Sequence, residues 1–427
     1  MTLTTPGKLR ELQQALYQRA KKEPNFRAYA LYDKVYRDDV LAHAYALAKA
    51  NRGAAGVDGV TFEDIETSGR EALLQELKEE LRTKRYRPGP VRRVEIPKLS
   101  GGTRPLGIPN IRDRVVQTAV KLLLEPLYEA DFDRDSYGFR PKKAAHEAIA
   151  AVRKELGQGM HWIIDADISK YFDTIPHDRL MKAVAERVVD SAMLALVKMF
   201  LEAAIVDDQD GGKPRRNVKG TPQGGVISPL LANIYLNLLD RNFRRHAEEG
   251  KLHGRIVRYA DDFVLLARKR PDGELVWVQQ LMERLGLQLH PEKTRVLDVR
   301  DENFDFLGHQ FRWGTRKVTL DISRKALARI RNEVRVRTRR PQDSSENMID
   351  ELNKYINGAR NYFRDVRVKT LEKLDYFVAQ RLARWWARKH AIRHPAWSLV
   401  WRGPLRRDLA RWYVPRSKRL QPPRHAT

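Results

Sequence analysis

The segment Arg255-Ile256-Val257-Arg258-Tyr259-Ala260-Asp261-Asp262-Phe263-Val264-Leu265-Leu266 reads as two β-rich apolar arms flanking an acidic pair. Ile, Val, Phe and Tyr favour the half-buried surface of a strand, and Asp is a favoured turn residue. The pattern therefore predicts a hairpin with Asp261 and Asp262 at its tip. Two adjacent carboxylates repel each other, and a cation that neutralises them is a natural resolution. Taken alone, the segment is equally compatible with an ordinary Asp-rich turn.

A second acidic run lies upstream, Trp162-Ile163-Ile164-Asp165-Ala166-Asp167-Ile168-Ser169-Lys170-Tyr171-Phe172-Asp173. Charged residues inside an apolar strand require a reason. Period-two geometry puts Asp165 and Asp167 on one face, so either could meet the tip if strand and hairpin are neighbours in one sheet. Together the acids would make a hard, oxygen-rich site suited to Mg²⁺ rather than zinc. Two such ions about 3.5 to 4 Å apart can activate a 3′-hydroxyl and stabilise a leaving pyrophosphate. Nucleotidyl transfer is the reaction served by such a site.

Between the two lies Gly220-Thr221-Pro222-Gln223-Gly224-Gly225-Val226-Ile227-Ser228-Pro229. Ser228 is expected as the N-cap of a helix with Pro229 at its first position, and the glycines let backbone approach a ligand closely. A plain loop-to-helix junction is the alternative in isolation. Further upstream, Pro90 to Pro97 and Arg104 to Ile108 alternate like strands about the turn Ser100-Gly101-Gly102. Lys98 and Arg104 flank that turn as a triphosphate clamp would require, although basic surface hairpins are common.

The chain has 427 residues, enough for two or three domains, with 81 Lys+Arg against 55 Asp+Glu and a net charge of +26. A large polyanion such as nucleic acid is the expected partner. From Arg316 to Thr427 there are 29 Lys+Arg and 10 Asp+Glu, a net of +19, so this last quarter carries most of the excess. It also holds five of the eight Trp, and aromatics among arginines suit base stacking as well as amphipathic packing. Zero Cys excludes disulfides, thiolate zinc sites and a cysteine nucleophile. The absence of a long apolar run argues for no membrane span, and a bacterial cytoplasmic location is expected. Glu11 and the scarcity of Ser and Arg disfavour an organellar presequence.

Residues 8 to 50 have helical spacing, interrupted by Pro24, and end in the turn Arg52-Gly53-Ala54-Ala55-Gly56-Val57-Asp58-Gly59. Arg112 to Tyr128 is a further predicted helix. Beyond Arg316 the pattern is helical, with Leu371, Leu374, Val378, Leu382 and Trp385 spaced by three or four and Pro341 to Ser345 as a linker.

These blocks, in this order, resemble the group II intron-encoded reverse transcriptases, or maturases. The likeness runs from Arg52 through Ile96-Pro97-Lys98, Arg104-Pro105-Leu106-Gly107-Ile108-Pro109, Tyr137-Gly138-Phe139-Arg140-Pro141, the acidic and Gly-rich blocks, and His290-Pro291-Glu292-Lys293-Thr294. It continues with Phe306-Leu307-Gly308-His309 and the thumb-like stretch Leu352 to Phe363. One short acidic motif is weak, whereas many blocks in fixed order are hard to obtain by chance. The resemblance makes Asp167, Asp261 and Asp262 the catalytic acids, holding two Mg²⁺ (Mn²⁺ able to substitute) with the Ile168 carbonyl, and puts Asp165 in a supporting role. It implies that Lys98, Arg104, Phe172, Gln223, Gly224 and Lys293 bind the dNTP, with Phe172 as a steric gate against a 2′-hydroxyl. Phe306, Leu307, Gly308 and His309 would form the primer grip. Arg92, Arg93, Arg140, Arg324, Lys325, Arg360 and Arg364 are expected to face nucleic acid.

The resulting expectation is an α+β right-hand polymerase: an N-terminal extension (1–58), fingers and palm with an antiparallel sheet (59–315), an all-helical thumb (316–390) and a basic segment (391–427) that could be a reduced DNA-binding region. The expected partners are intron RNA or another RNA template, a DNA primer or target, and dNTPs. With no Cys, the zinc-dependent H-N-H nuclease of many relatives is not expected. A domesticated enzyme of phage defence, DNA repair or CRISPR adaptation, and a catalytically idle splicing cofactor, are the alternatives.

Overall fold

The computed structural model describes residues 3–97, 102–207, 212–314, 317–339 and 344–389. Its strands are β1 (Val91–Pro97), β2 (Thr103–Ile108), β3 (Trp162–Ala166), β4 (Ile205–Asp207), β5 (Arg255–Tyr259), β6 (Asp262–Ala267), β7 (Arg295–Asp298), β8 (Phe304–Phe306), β9 (His309–Trp313) and β10 (Val318–Ile322). Helices fill much of the remainder, so the class is α+β, as the resemblance implies. The chain divides into two compact units between Asp298 and Val299.

In the first unit, β5-β6-β3-β7 form a sheet that is antiparallel throughout. Ile163, Ile164, Val264, Leu265 and Leu266 on its central strands are fully buried. Helix Ile111–Glu129 is buried on almost every side, and helix Ser228–Glu248 buries most of its first four turns. Such all-round burial marks core helices rather than surface ones. The outer edge of β5 is covered: Arg258 N–H donates to the Asp135 carbonyl and Tyr137 N–H to the Arg258 carbonyl, both at 2.9 Å. A second sheet, β2-β1-β4, contains the basic hairpin, with β4 parallel to β1. Local chemistry fixes the element ends. Thr61 and Asp64 form a reciprocal capping box, and Asp190 caps helix Ser191–Glu202 while accepting from Leu31 and Tyr32 N–H.

The second unit joins an antiparallel β8-β9-β10 sheet to helices Arg324–Arg337, Ser345–Tyr362 and Val368–Lys389. Leu374, Val378, Leu382 and Trp385 are buried along one stripe, as their spacing predicts. One detail differs from the expectation of an all-helical segment after Arg316: Val318 to Ile322 is a strand. Its five residues pair with β9 and bury Val318, Leu320 and Ile322, too short a period-two run to stand out beside the long helices. Pro341 to Asp343 of the expected linker and the basic segment 391–427 lie outside the described residues. Among the described residues, no helix is long and apolar enough to cross a membrane.

Candidate active site

β5 and β6 are joined by Ala260 and Asp261 alone, with Tyr259 paired to Asp262. Ala260 takes a φ of +58°, the left-handed geometry that a two-residue hairpin requires. On the other side of β6 lies β3, with Ala166 opposite Phe263, so the next step along the ladder sets Asp167 level with Asp262. Strand register thus brings Asp167, Asp261 and Asp262 to one end of the sheet. Asp165 lies opposite Val264 and Arg295, and the Arg295 Nε approaches its carboxylate at 3.4 Å.

Electrostatics agree with this convergence. Asp262 is open to solvent yet densely surrounded by protein. Desolvation, followed by the charges of Asp261, Asp167 and Asp165, pushes it up to about 6. Burial and then Asp167 raise Asp261, with Arg104 and Arg258 opposing. Carboxylates that disfavour one another's ionisation create the field that a cation relieves. Among the described residues, however, no three His, Cys, Asp or Glu side chains form a ready-made cage for an ion. Asp167 instead accepts from Lys293 Nζ at 2.6 Å. An incomplete cage is the usual protein share of a Mg²⁺ site, where waters and substrate phosphates complete the shell. Beside it, Ser169 N–H donates to the Gln288 carbonyl and His290 N–H to the Asp167 carbonyl, so the Ile168 carbonyl takes no part in that bridge.

Of the expected nucleotide-binding residues, Lys293 contacts Asp167 and the charge of Arg104 acts on Asp261 and Asp262. Phe172 sits in a short helical turn, Tyr171–Thr174, and its carbonyl accepts from Thr221 N–H at 2.7 Å. Gly107 N–H of β2 donates to the Gln223 carbonyl at 2.5 Å. A Cβ on Gly224 would lie 2.3 Å from the Gly107 carbonyl oxygen, so only glycine fits there. The Gln223-Gly224 loop therefore bridges the basic hairpin and the Phe172 turn. Arg104 is exposed on β2, and its positive charge reaches both Asp261 and Asp262. Lys98 lies outside the described residues. The helix after this loop begins at Ser228, with Ile227 as its cap position and no side-chain cap. Ser228 is thus helical rather than the expected N-cap, because a Gly225–Ser228 turn already winds the chain, while the Gln117 carboxamide accepts from Val226 N–H.

Beneath the tip is a buried frame that the sequence reading missed. Arg258 is 0% exposed and makes bidentate contact with Asp240, a bond to Asn233 Oδ1 at 3.0 Å, and a bond to the Ala260 carbonyl at 2.8 Å. Asn233 also donates to the Gly138 carbonyl at 2.7 Å. A Cβ on Gly138 would come within 2.3 Å of Ala260 N, so this glycine is needed for the segment to rest on the turn. The signal was available: an arginine within an apolar strand needs a partner just as Asp165 does.

The remaining expected residues fall elsewhere. In the second unit, Leu307 (φ +49°) and Gly308 (φ +75°) form the turn of the β8–β9 hairpin. Tyr362 Oη donates to the Leu307 carbonyl and Ser323 N–H to the Gly308 carbonyl, each at 2.9 Å. Phe306 and His309 are buried. Arg324, Lys325 and Arg364 are exposed, whereas Arg360 is held by Asp375 and Arg93 pairs with Glu95 and Asp207. Arg92 is half-buried on β1. Arg140 requires a correction. Its side chain is 6% exposed and clamped on Glu129 and on the carbonyls of Asp133 and Ser136, so four of its five N–H donors are engaged inside the protein and the guanidinium is turned away from any phosphate.

Residues 96–311 match the reverse transcriptase (RNA-dependent DNA polymerase) family, and residues 327–403 match the group II intron, maturase-specific domain. Over 359 residues the chain is 36% identical to Protein YkfC of Escherichia coli (strain K12), covering 73% of this chain and 92% of that one. It is 37% identical over 345 residues to the group II intron-encoded protein LtrA of Lactococcus lactis subsp. cremoris, covering 66% of this chain but 56% of LtrA. A putative COX1/OXI3 intron 2 protein of Saccharomyces cerevisiae is 37% identical over 204 residues, 47% of this chain and 23% of that one.

Proposed function

We propose, from the premise that this chain belongs to the group II intron reverse transcriptase/maturase family and has its right-hand polymerase fold, that it copies RNA into DNA and binds an intron RNA whose folding and splicing it assists. The observation that supports catalysis most is the strand register that gathers three aspartates from separate segments at one end of a sheet. Reverse transcriptases use divalent metal ions, and the all-oxygen donor set here suits Mg²⁺, with Mn²⁺ as a substitute. Asp167, Asp261, Asp262 and the Ile168 carbonyl would hold the metal, which when bound supplies Lewis-acid activation of the 3′-hydroxyl and charge neutralisation at the leaving pyrophosphate.

This chain's own side chains would do the rest. Lys98 and Arg104 would bind the triphosphate, and Gln223-Gly224 would pack on the nascent base pair. Phe172 would exclude a 2′-hydroxyl. Lys293, released from Asp167 once a cation takes its place, would assist the departing pyrophosphate. Phe306 to His309 would grip the primer, and Arg92, Arg324, Lys325 and Arg364 would follow the nucleic-acid backbone. The division into extension (1–58), fingers and palm (59–315), thumb (316–390) and basic segment (391–427), and a bacterial cytoplasmic setting, belong to the same proposal.

Primer extension on an RNA template with Mg²⁺ and dNTPs tests the enzymatic part. DNA synthesis that disappears in Asp261→Ala supports it. No synthesis by the parent protein, or synthesis that survives Asp261→Ala, removes it and leaves the RNA-binding part. Sequencing the RNA that co-purifies with the protein tests that second part, with group II intron RNA as the expected result. Binding should weaken steeply with salt, because the basic surface displaces counterions from many phosphates; a shallow slope would count against the charge argument.

A further inference from the structure

Phe139 breaks two local rules at once. It is a bulky apolar residue with a backbone φ of +56°, in the left-handed region that L side chains rarely adopt, and the residue is 52% exposed. Strain and exposure of this kind persist only where the surroundings over-determine them, and they cluster at functional sites. The surroundings do so here. Gly138 rests on the Ala260 turn with its carbonyl held by Asn233, and Tyr137 N–H is bonded to the Arg258 carbonyl. On the other side, Arg140 is locked by Glu129 and by the carbonyls of Asp133 and Ser136. With its backbone pinned on both flanks, Phe139 meets Phe172 edge-to-face, ring centroids 6.5 Å apart at 83°. Phe172 also meets its chain neighbour Tyr171 edge-to-face at 5.5 Å, and Tyr171 is fixed by a hydrogen bond from its hydroxyl to the Ala232 carbonyl.

We propose that Phe139 is a positioning residue for sugar selection, a brace that holds the Phe172 ring in the one orientation that closes off the 2′-hydroxyl of an incoming ribonucleotide. The inference rests on the polymerase reading and adds a residue that acts through the gate rather than on the substrate. Aromatic rings in edge-to-face contact fix each other's orientation, whereas a half-buried ring with one neighbour removed gains rotamers. The strained backbone of Phe139 then has a use, since a residue in ordinary extended conformation would carry its ring elsewhere.

The test is single-nucleotide incorporation on an RNA template, comparing kcat/KM for a dNTP and for the rNTP of the same base. Phe139→Gly keeps the left-handed backbone and relieves its strain, so its melting temperature should equal or exceed that of the parent. Its discrimination against the rNTP should fall about fivefold to tenfold, while Phe139→Tyr restores the parental ratio to within about twofold. Phe172→Ala should lose more, and the double variant Phe139→Gly/Phe172→Ala should discriminate no worse than Phe172→Ala alone, because the brace works only through the gate. Unchanged discrimination in Phe139→Gly, an equal fall for both nucleotides, or additive losses in the double variant would overturn the inference alone. Absence of any synthesis by the parent would overturn the polymerase reading and this inference with it.

Discussion

Just beneath the turn of the β5–β6 hairpin, Arg258 and Asp240 form a buried ion pair, extended by hydrogen bonds from Arg258 to Asn233 and to the backbone of Ala260. One residue beyond Ala260, Asp261 and Asp262 stand with no salt bridge among the described residues; desolvation raises both, with Asp167 adding to it at Asp261 and Asp261, Asp167 and Asp165 adding to it at Asp262. The same short hairpin therefore neutralises its charges completely in one place and leaves them opposed in another. Burial of a charge is tolerated when a partner comes with it, and desolvated carboxylates without a cation beside them mark where a ligand is to supply the missing charge. The paired region sets geometry; the unpaired region is where chemistry is expected.

That contrast can be broken most severely at the tip. Asp261→Asn should reduce RNA-templated synthesis on the order of a thousandfold or more, while its thermal midpoint holds or rises because a repelling charge is gone. A variant that loses its fold together with its activity would erase the distinction between the two regions. At the base the outcome should reverse. Asp240→Ala leaves the Arg258 guanidinium buried without compensation and should cost about 3 to 5 kcal/mol of unfolding free energy in a urea titration. A change below about 1 kcal/mol would show that the frame does not hold the turn.

Asp113 sharpens the comparison as an intermediate case, a buried carboxylate whose hydrogen bonds come from neutral donors, Tyr86 Oη at 2.6 Å and Gly89 N–H at 3.0 Å. Burial pushes it up to about 6. A folded-state value above the unfolded one means that the native protein holds this proton more tightly. Its contribution to stability is therefore present below about pH 4 and lost as pH rises through about 6. The stability of the parent relative to Asp113→Asn should fall by about 2 kcal/mol between pH 4 and pH 7, read by denaturant titration at each pH. A flat difference would remove the assignment. The smallest effect belongs to the exposed Lys293–Asp167 pair: Lys293→Met should change stability by less than about 1 kcal/mol, since solvent screens it. A larger loss would mean that Lys293 belongs to the structural frame and not to the site.

Much of this was legible beforehand. The acidic hairpin, the strand ending near Asp167, the basic hairpin and the apolar stripe of the last helix each follow from periodicity and turn chemistry that a few neighbouring residues carry. Arg140 and Arg258 were not legible in the same way. As letters they are two arginines beside turns; in the fold one is closed over Glu129 and the other over Asp240, while the charge of Arg104 on β2 acts on the acids. Phe139 stood within a recognised block without a role, because neither its left-handed backbone nor its contact with Phe172 can be read from spacing. β10 escaped for a simpler reason: five alternating residues say little until β9 lies alongside.

The sequence alone determined the order of the elements, the hairpin that carries the acids and the excess of positive charge, since these depend on local propensity and on composition. Only the tertiary structure decided which charges are neutralised and which are left for a ligand. Ion pairs join residues as distant as Arg295 and Asp165, and the cost of a charge depends on the solvent that the assembled fold removes from it.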